Sequence, residues 1–158
     1  MTKIFELAKK YNAQVIGLAM DKSGVPNNKE KRLELAATIV AKAMDYGINP
    51  EDLYLDPIVL PVNVAQTQGK EVLESIREFR MLCDPAPQTT VGLSNVSQGT
   101  KARPIINRTF VAMAIANGLT SAILDPLDKE LMNALITAEL ILNKNIYCDS
   151  FLEAYRKK

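Results

Sequence analysis

Apolar residues recur along the chain at two spacings, one typical of helices and one typical of buried strands. Helical spacing predicts a short opening helix around residues 4–8 and longer helices over 33–44, 69–82, 104–116 and 128–142. Short apolar runs rich in β-branched residues predict strands over 14–20, 53–60, 89–93 and 121–124. A terminal helix with Phe151 and Tyr155 is expected to close the chain. The pattern therefore predicts four strand–helix units.

Each predicted strand ends near a short polar side chain, namely Asp21, Asp56, Asn95 or Asp125. Strands joined by helices pair in parallel, so these side chains are expected at one edge of the sheet. A (β/α)8 barrel carries its active site at this edge, and a doubly wound sheet binds ligands near the same strand ends at a switch point. The polar ends alone do not decide between the two folds.

Length favours only part of a barrel. A complete (β/α)8 barrel takes about 250 residues, whereas this chain has 158. We therefore expect an α/β fold of the parallel (β/α)8 TIM-barrel type with about four units, a half-barrel that occupies residues 1–158 as a single portion of one domain.

Composition excludes several function classes. The formal net charge of +1 gives no field that would attract nucleic acid or an anionic membrane. The two cysteines lack metal-binding spacing and suit a reducing, cytoplasmic compartment. Histidine is absent, which excludes Ser-His and Cys-His catalytic pairs and the usual catalytic zinc sites. No run of about 18 apolar residues predicts a membrane span.

Four segments carry a family resemblance: YLDPIVLP at 54–61, GLSNVS at 92–97, INRTF at 106–110 and YCDSF at 147–151. Together they resemble methyltetrahydrofolate:corrinoid/iron-sulfur protein methyltransferases, along essentially the whole chain. The resemblance implies a pterin-binding barrel that moves the methyl group of 5-methyltetrahydrofolate to the reduced cobalt of a corrinoid. It also implies that a partner corrinoid (iron-sulfur) protein carries this corrinoid, that the enzyme is a homodimer, and that it needs no metal of its own. Family members are longer at the N-terminus, where further strands supply an Asp and an Asn to the pterin.

The resemblance assigns the two main site residues. Asp56 matches the carboxylate that binds the pterin ring, and a carboxylate can accept two parallel hydrogen bonds from an aminopyrimidinone edge. Asn95 matches the amide beside the ring nitrogen that bears the methyl group, and is the predicted catalytic residue. Both residue types are also common in turns, which is the competing interpretation of each.

The resemblance assigns Gly92, Ser94, Gln98 and Arg103 to substrate binding. Gly92 and Ser94 are small residues that let a flat ring approach the backbone, although close packing in a barrel would also explain them. Gln98 and Arg103 follow on the next loop, where a solvated arginine is the competing interpretation of Arg103.

Two other functions stay open. A half-barrel exposes unpaired strand edges and part of an apolar interior, so the chain could be a non-catalytic fragment or assembly module that needs an N-terminal partner. Dihydropteroate synthases share the pterin barrel, but they would need an Arg-x-His signature on the last strand. The sequence has Ile123-Leu124-Asp125-Pro126 there instead.

Overall fold

A computed structural model describes residues 2–147. Within this range the structure has five α-helices and three regular β-strands: α1 Thr2–Tyr11, β1 Val15–Leu18, α2 Lys29–Asp45, β2 Leu53–Asp56, α3 Gln68–Phe79, β3 Gln88–Thr89, α4 Arg103–Ala116 and α5 Lys129–Ile141. Two short 3₁₀ helices, Pro50–Asp52 and Leu93–Ser97, precede β2 and follow β3. The predicted terminal helix with Phe151 and Tyr155 lies outside the described residues.

The three strands form a parallel sheet in the order β1-β2-β3. Val15 pairs with Leu53 at one end of the β1–β2 ladder, and Leu55 pairs with Thr89 between β2 and β3. A crossover helix lies between successive strands, as parallel pairing requires. The predicted α/β class with parallel strands is confirmed, and the arrangement is consistent with part of a barrel.

The predicted fourth strand, 121–124, is an isolated parallel bridge between Gly92 and Ile123 and not a regular strand. The Ser121 N–H donates to the Thr89 carbonyl at 3.0 Å, and the Ile123 N–H donates to the Val91 carbonyl at 2.9 Å. These bonds place the segment beside β3, where a fourth parallel strand was expected. Ile123 itself is 69% exposed.

The regular strands are shorter than predicted. The strand predicted over 53–60 ends at Asp56, because Pro57 has no N–H for the ladder and Ile58 has a φ of 65°. The strand predicted over 89–93 pairs regularly only at Gln88–Thr89, since the chain turns into a 3₁₀ helix from Leu93. The strand predicted over 14–20 is regular only over Val15–Leu18, and the helix predicted over 69–82 ends at Phe79.

The core lies between the sheet and the helices in two clusters. The first joins α1 and α2 to the strands through Phe5, Ile39 and Leu55, and the second joins α3 and α4 to the segments after β2 and β3. Burying each such side chain stabilises the fold by about 1.5–3 kcal/mol. The opposite face of β1 is open, with Ile16 55% and Leu18 47% exposed. No helix of the described residues is long and apolar enough to cross a bilayer.

Candidate functional site

Asp56 is the last residue of β2, at the carboxyl end of the sheet. Its Oδ1 atom accepts a hydrogen bond from the Ile58 N–H at 2.7 Å. Among residues 2–147, the structure gives Oδ2 no hydrogen-bond donor. Burial raises the pKa of the Asp56 carboxyl above its ordinary value, and the bond from Ile58 opposes that rise. One oxygen of this half-buried carboxylate is thus fixed by the backbone, and the other is available to a ligand.

The backbone beside Asp56 is strained. Ile58 has a φ of 65°, a left-handed conformation that a β-branched residue rarely adopts. Such conformations cost about 1–3 kcal/mol and persist only where surrounding contacts enforce them. Buried Arg32 supplies one of these contacts, because its Nε donates to the Pro57 carbonyl at 2.8 Å.

Asn95 lies on the 3₁₀ helix Leu93–Ser97, and its side chain is exposed. The side-chain amide folds back over Gly92, since a Cβ atom built on Gly92 would lie 3.0 Å from Asn95 Nδ2. No described residue forms a hydrogen bond with that side-chain amide. Gly92 therefore leaves room for an amide that can both donate and accept toward a ligand.

The other predicted residues lie on or next to the same 3₁₀ helix. Arg103, the first residue of α4, donates from Nε to Ser97 Oγ at 3.2 Å and from Nη2 to the Ser94 carbonyl at 3.4 Å. Gln98 follows the helix, is exposed, and donates its backbone N–H to the Asn95 carbonyl at 3.1 Å. The Arg103 side chain is thus hydrogen-bonded to the segment that carries Asn95.

The loop after β2 and the Asn95 segment are joined directly. The Val62 N–H donates to the Val96 carbonyl at 3.0 Å. Since β2 and β3 are also neighbours in the sheet, Asp56 at the end of β2 and Asn95 on the 3₁₀ helix after β3 lie at the same end of the sheet. This agrees with the expectation that the polar strand ends gather there.

A cavity of about 320 Å³ opens beside the 3₁₀ helix, and Ser94, Arg103, Asn107 and Asp125 are among the residues that line it. Asp56 and Asn95 are not in its lining. The Asp125 carboxylate accepts from the Leu127 N–H at 2.9 Å, the same turn bond that Asp56 makes with Ile58, but Asp125 is exposed whereas Asp56 is half-buried. Asp21 is likewise engaged locally, by the Ser23 N–H at 2.8 Å. The described residues contain no group of three acidic or cysteine side chains placed to hold a metal ion.

The sequence interpretation missed one residue next to the candidate site, Arg32. It precedes Ala36, Ile39 and Ala43 at helical spacing, so it occupies the apolar face of α2 and is completely buried. The sequence did contain a signal for Arg32, namely a charged residue at an apolar position of a helix. Arginine is almost never fully buried without a partner, so such a position points to a specific contact.

The chain was compared with known proteins. The family model described as pterin binding enzyme matches residues 1–125. Methylcorrinoid:tetrahydrofolate methyltransferase of Eubacterium limosum is 29% identical over 147 residues, which cover 91% of this chain and 53% of that protein. Methionine synthases of Mycobacterium leprae and Mycobacterium tuberculosis are 31% and 30% identical over 77% of this chain, but over 10% and 11% of their own lengths.

The chain thus spans about half of the length of the first relative and about a tenth of the methionine synthases. The family match covers β1, β2, β3 and the segments that carry Asp56 and Asn95. The expected resemblance to folate–corrinoid methyltransferases is confirmed. By the extent of this match, the chain belongs to the family of pterin-binding enzymes.

Proposed function

We propose that residues 1–158 form the C-terminal half of a pterin-binding (β/α)8 barrel that transfers a methyl group between 5-methyltetrahydrofolate and the cobalt of a corrinoid. In this proposal the corrinoid is carried by a partner protein, the corrinoid (iron-sulfur) protein of the resemblance, and the barrel forms a homodimer. The observation that carries the proposal is the Asp56 carboxylate, with one oxygen held by the backbone and the other available. The loop that follows it is hydrogen-bonded to the 3₁₀ helix that carries Asn95.

Asp56 recognises the pterin in this scheme. Oδ1 keeps a second lone pair beside its bond from Ile58, so Oδ2 and Oδ1 together can accept hydrogen bonds from the amino group and the ring N–H of an aminopyrimidinone edge. The half-buried position of Asp56 makes these bonds stronger than they would be in water, because water competes less for the same groups. Asp56 therefore contributes mainly to ground-state binding.

Asn95 acts on the ring nitrogen that carries the methyl group. The ring nitrogen takes a proton from solvent, the cobalt supplies an electron pair to the methyl carbon, and the carbon–nitrogen bond breaks with its electron pair returning to the nitrogen, which leaves tetrahydrofolate with an N–H group and a methyl–cobalt bond. The change of charge at the nitrogen is largest in the transition state, so an amide that hydrogen-bonds there accelerates the reaction. The remaining task of the protein is to hold the reactants in line.

The name of the Eubacterium limosum relative describes transfer from a methylcorrinoid to tetrahydrofolate. Asn95 stabilises the same transition state in either direction, so we assign it the same role in both.

The experiment separates the two roles by substitution. Asn95→Ala is expected to lower kcat for methyl transfer by about 10²-fold with little change in the Kd of 5-methyltetrahydrofolate. Asp56→Ala is expected to raise that Kd by roughly 10- to 100-fold, as for a lost hydrogen bond to a charged group. Asn49→Ala and Asp52→Ala are matched controls, because both residues precede β2 at the opposite end of the sheet. The reverse pattern for Asn95 and Asp56 contradicts the assignment.

A second candidate function is an assembly module without activity of its own. It is favoured by the open face of β1, where Ile16 and Leu18 are about half exposed, and by exposed Ile123 on the segment beside β3. Within residues 2–147, β1 pairs only with β2. If copies of the chain associate through these exposed apolar surfaces, the melting temperature falls on dilution. Unchanged melting over a hundredfold dilution contradicts self-pairing.

A further inference from the structure

Arg32 is a buried charge that forms no ion pair with a carboxylate of the described residues, and Glu71 attracts it only from a longer distance. Its side chain is 0% exposed, and no acidic group of residues 2–147 forms a salt bridge with it. Taking an unpaired guanidinium out of water is costly, so a buried arginine on the apolar face of α2 lowers the stability of the fold unless its hydrogen bonds compensate. A methionine or leucine would fill the same position without that cost.

The hydrogen bonds of Arg32 converge on the loop after β2. Nε donates to the Pro57 carbonyl at 2.8 Å, and Nη2 donates to Gln68 Oε1 at 2.8 Å. Gln68, the first residue of α3, in turn donates from Nε2 to the Asn27 carbonyl at 2.7 Å. The guanidinium therefore joins the start of α2, the start of α3 and the residue that follows Asp56.

The Pro57 carbonyl and the Ile58 N–H belong to one planar peptide group. Arg32 binds the oxygen of this group, and the nitrogen donates to Asp56 Oδ1 at 2.7 Å. A charged donor on the carbonyl polarises the peptide and strengthens the bond from its N–H. Arg32 and Asp56 are thus linked through a single peptide group.

The same peptide group lies next to the strained residue. Ile58 has a φ of 65°, and without a bond to the Pro57 carbonyl the peptide can rotate toward a less strained conformation. That rotation would take the Ile58 N–H away from the carboxylate.

We propose that Arg32 is a positioning residue for Asp56: it holds the Pro57–Ile58 peptide in the orientation that fixes Oδ1 and turns Oδ2 toward the ligand. The consequence for binding rests on the proposed function, in which that ligand is a pterin. The orientation of the carboxylate does not depend on which ligand binds.

The first test measures hydrogen exchange at the Ile58 amide by NMR, without ligand. Arg32→Met is expected to speed exchange at Ile58 by about tenfold, the size of one lost hydrogen bond. Arg32→Lys keeps the charge and a donor, and is expected to give an intermediate rate in a folded protein. Arg80→Met is the matched control, because Arg80 donates to the carbonyl of Pro87 ahead of β3, away from Asp56. Unchanged exchange at Ile58 in folded Arg32→Lys and Arg32→Met overturns the proposal.

The second test is a double-mutant cycle on the Kd of 5-methyltetrahydrofolate. Arg32→Met is expected to weaken binding by about tenfold in the parent chain and to have almost no further effect in an Asp56→Ala background. An equal loss in both backgrounds means that Arg32 acts on stability alone and overturns the proposal. If the parent chain does not bind the pterin, the proposed function fails while the exchange measurement still decides the role of Arg32.

Discussion

Substitution of Gly92 by alanine should slow methyl transfer without destabilising the fold. The added Cβ atom would lie 3.0 Å from Asn95 Nδ2 and 3.7 Å from Asn95 Cγ. Contacts of 3.0–3.4 Å are tighter than nine in ten real Cβ contacts, so the amide must retreat by a few tenths of an ångström. Because Asn95 is exposed and forms no side-chain hydrogen bond with a described residue, its side chain can make this movement at little energetic cost.

The magnitude follows from that displacement. Misplacing a reacting group by about 1 Å costs roughly 100-fold in rate, so a few tenths of an ångström should lower kcat by about fivefold. Gly92 has a φ of −77°, which alanine adopts without strain. Removing a glycine also restricts the unfolded chain, so the variant should be more stable by about 0.4–1 kcal/mol.

The assay compares kcat for methyl transfer with the thermal melting of the same samples. Gly69→Ala is the matched control, since Gly69 lies in α3 and a Cβ there meets nothing within 4 Å. It should gain up to about 1 kcal/mol of stability with unchanged kcat. A Gly92→Ala variant with unchanged kcat, or one that loses more than about 1 kcal/mol of stability, refutes the reasoning.

Two further predictions concern stability. Burial raises the pKa of Asp56 above the ordinary value of 3.8, so the folded chain holds this proton more tightly than the unfolded chain does. The ionised carboxyl therefore lowers stability above its folded pKa, and the loss disappears as pH falls through that pKa toward 3.8. Asp56→Asn should thus melt higher than the parent at pH 7 and equally below about pH 3; a difference that grows on acidification contradicts this. Gly17→Ala should lower the free energy of unfolding by about 1–3 kcal/mol, because the new Cβ would lie 2.8 Å from Cγ2 of buried, β-branched Ile39. Chemical denaturation measures this loss, and unchanged stability would contradict the prediction.

The sequence predicts the elements whose signal is local. The helical spacing of apolar residues gives α2, α4 and α5 to within a few residues, and the apolar run from Leu53 gives the start of β2 but extends the strand past Asp56 to residue 60. Helices between the strands then require parallel pairing. These features depend on periodicity and on chain connectivity, both of which can be read from a single sequence.

The structural features that could not be predicted from the sequence depend on contacts between distant segments. Ile58 has a left-handed backbone conformation, and Arg32, 26 positions earlier in the sequence, donates a hydrogen bond to the neighbouring Pro57 carbonyl. No local preference of isoleucine predicts that conformation. The segment over 121–124 has strand composition, but among the described residues only the β3 side gives it a partner, so it forms a single bridge. The resemblance assigns Gly92 and Asn95 to the site, whereas the close approach of the two residues is visible only in the structure.

Calorimetric titration of the folded 158-residue chain with 5-methyltetrahydrofolate, with the oligomeric state recorded in the same sample, tests the central claim most directly. The account predicts saturable binding near one pterin per chain, strongly weakened by Asp56→Ala and little changed by Asp52→Ala. The absence of saturable binding in a folded sample, or equal binding by the parent and Asp56→Ala, would contradict the claim that this edge of the sheet forms a pterin site.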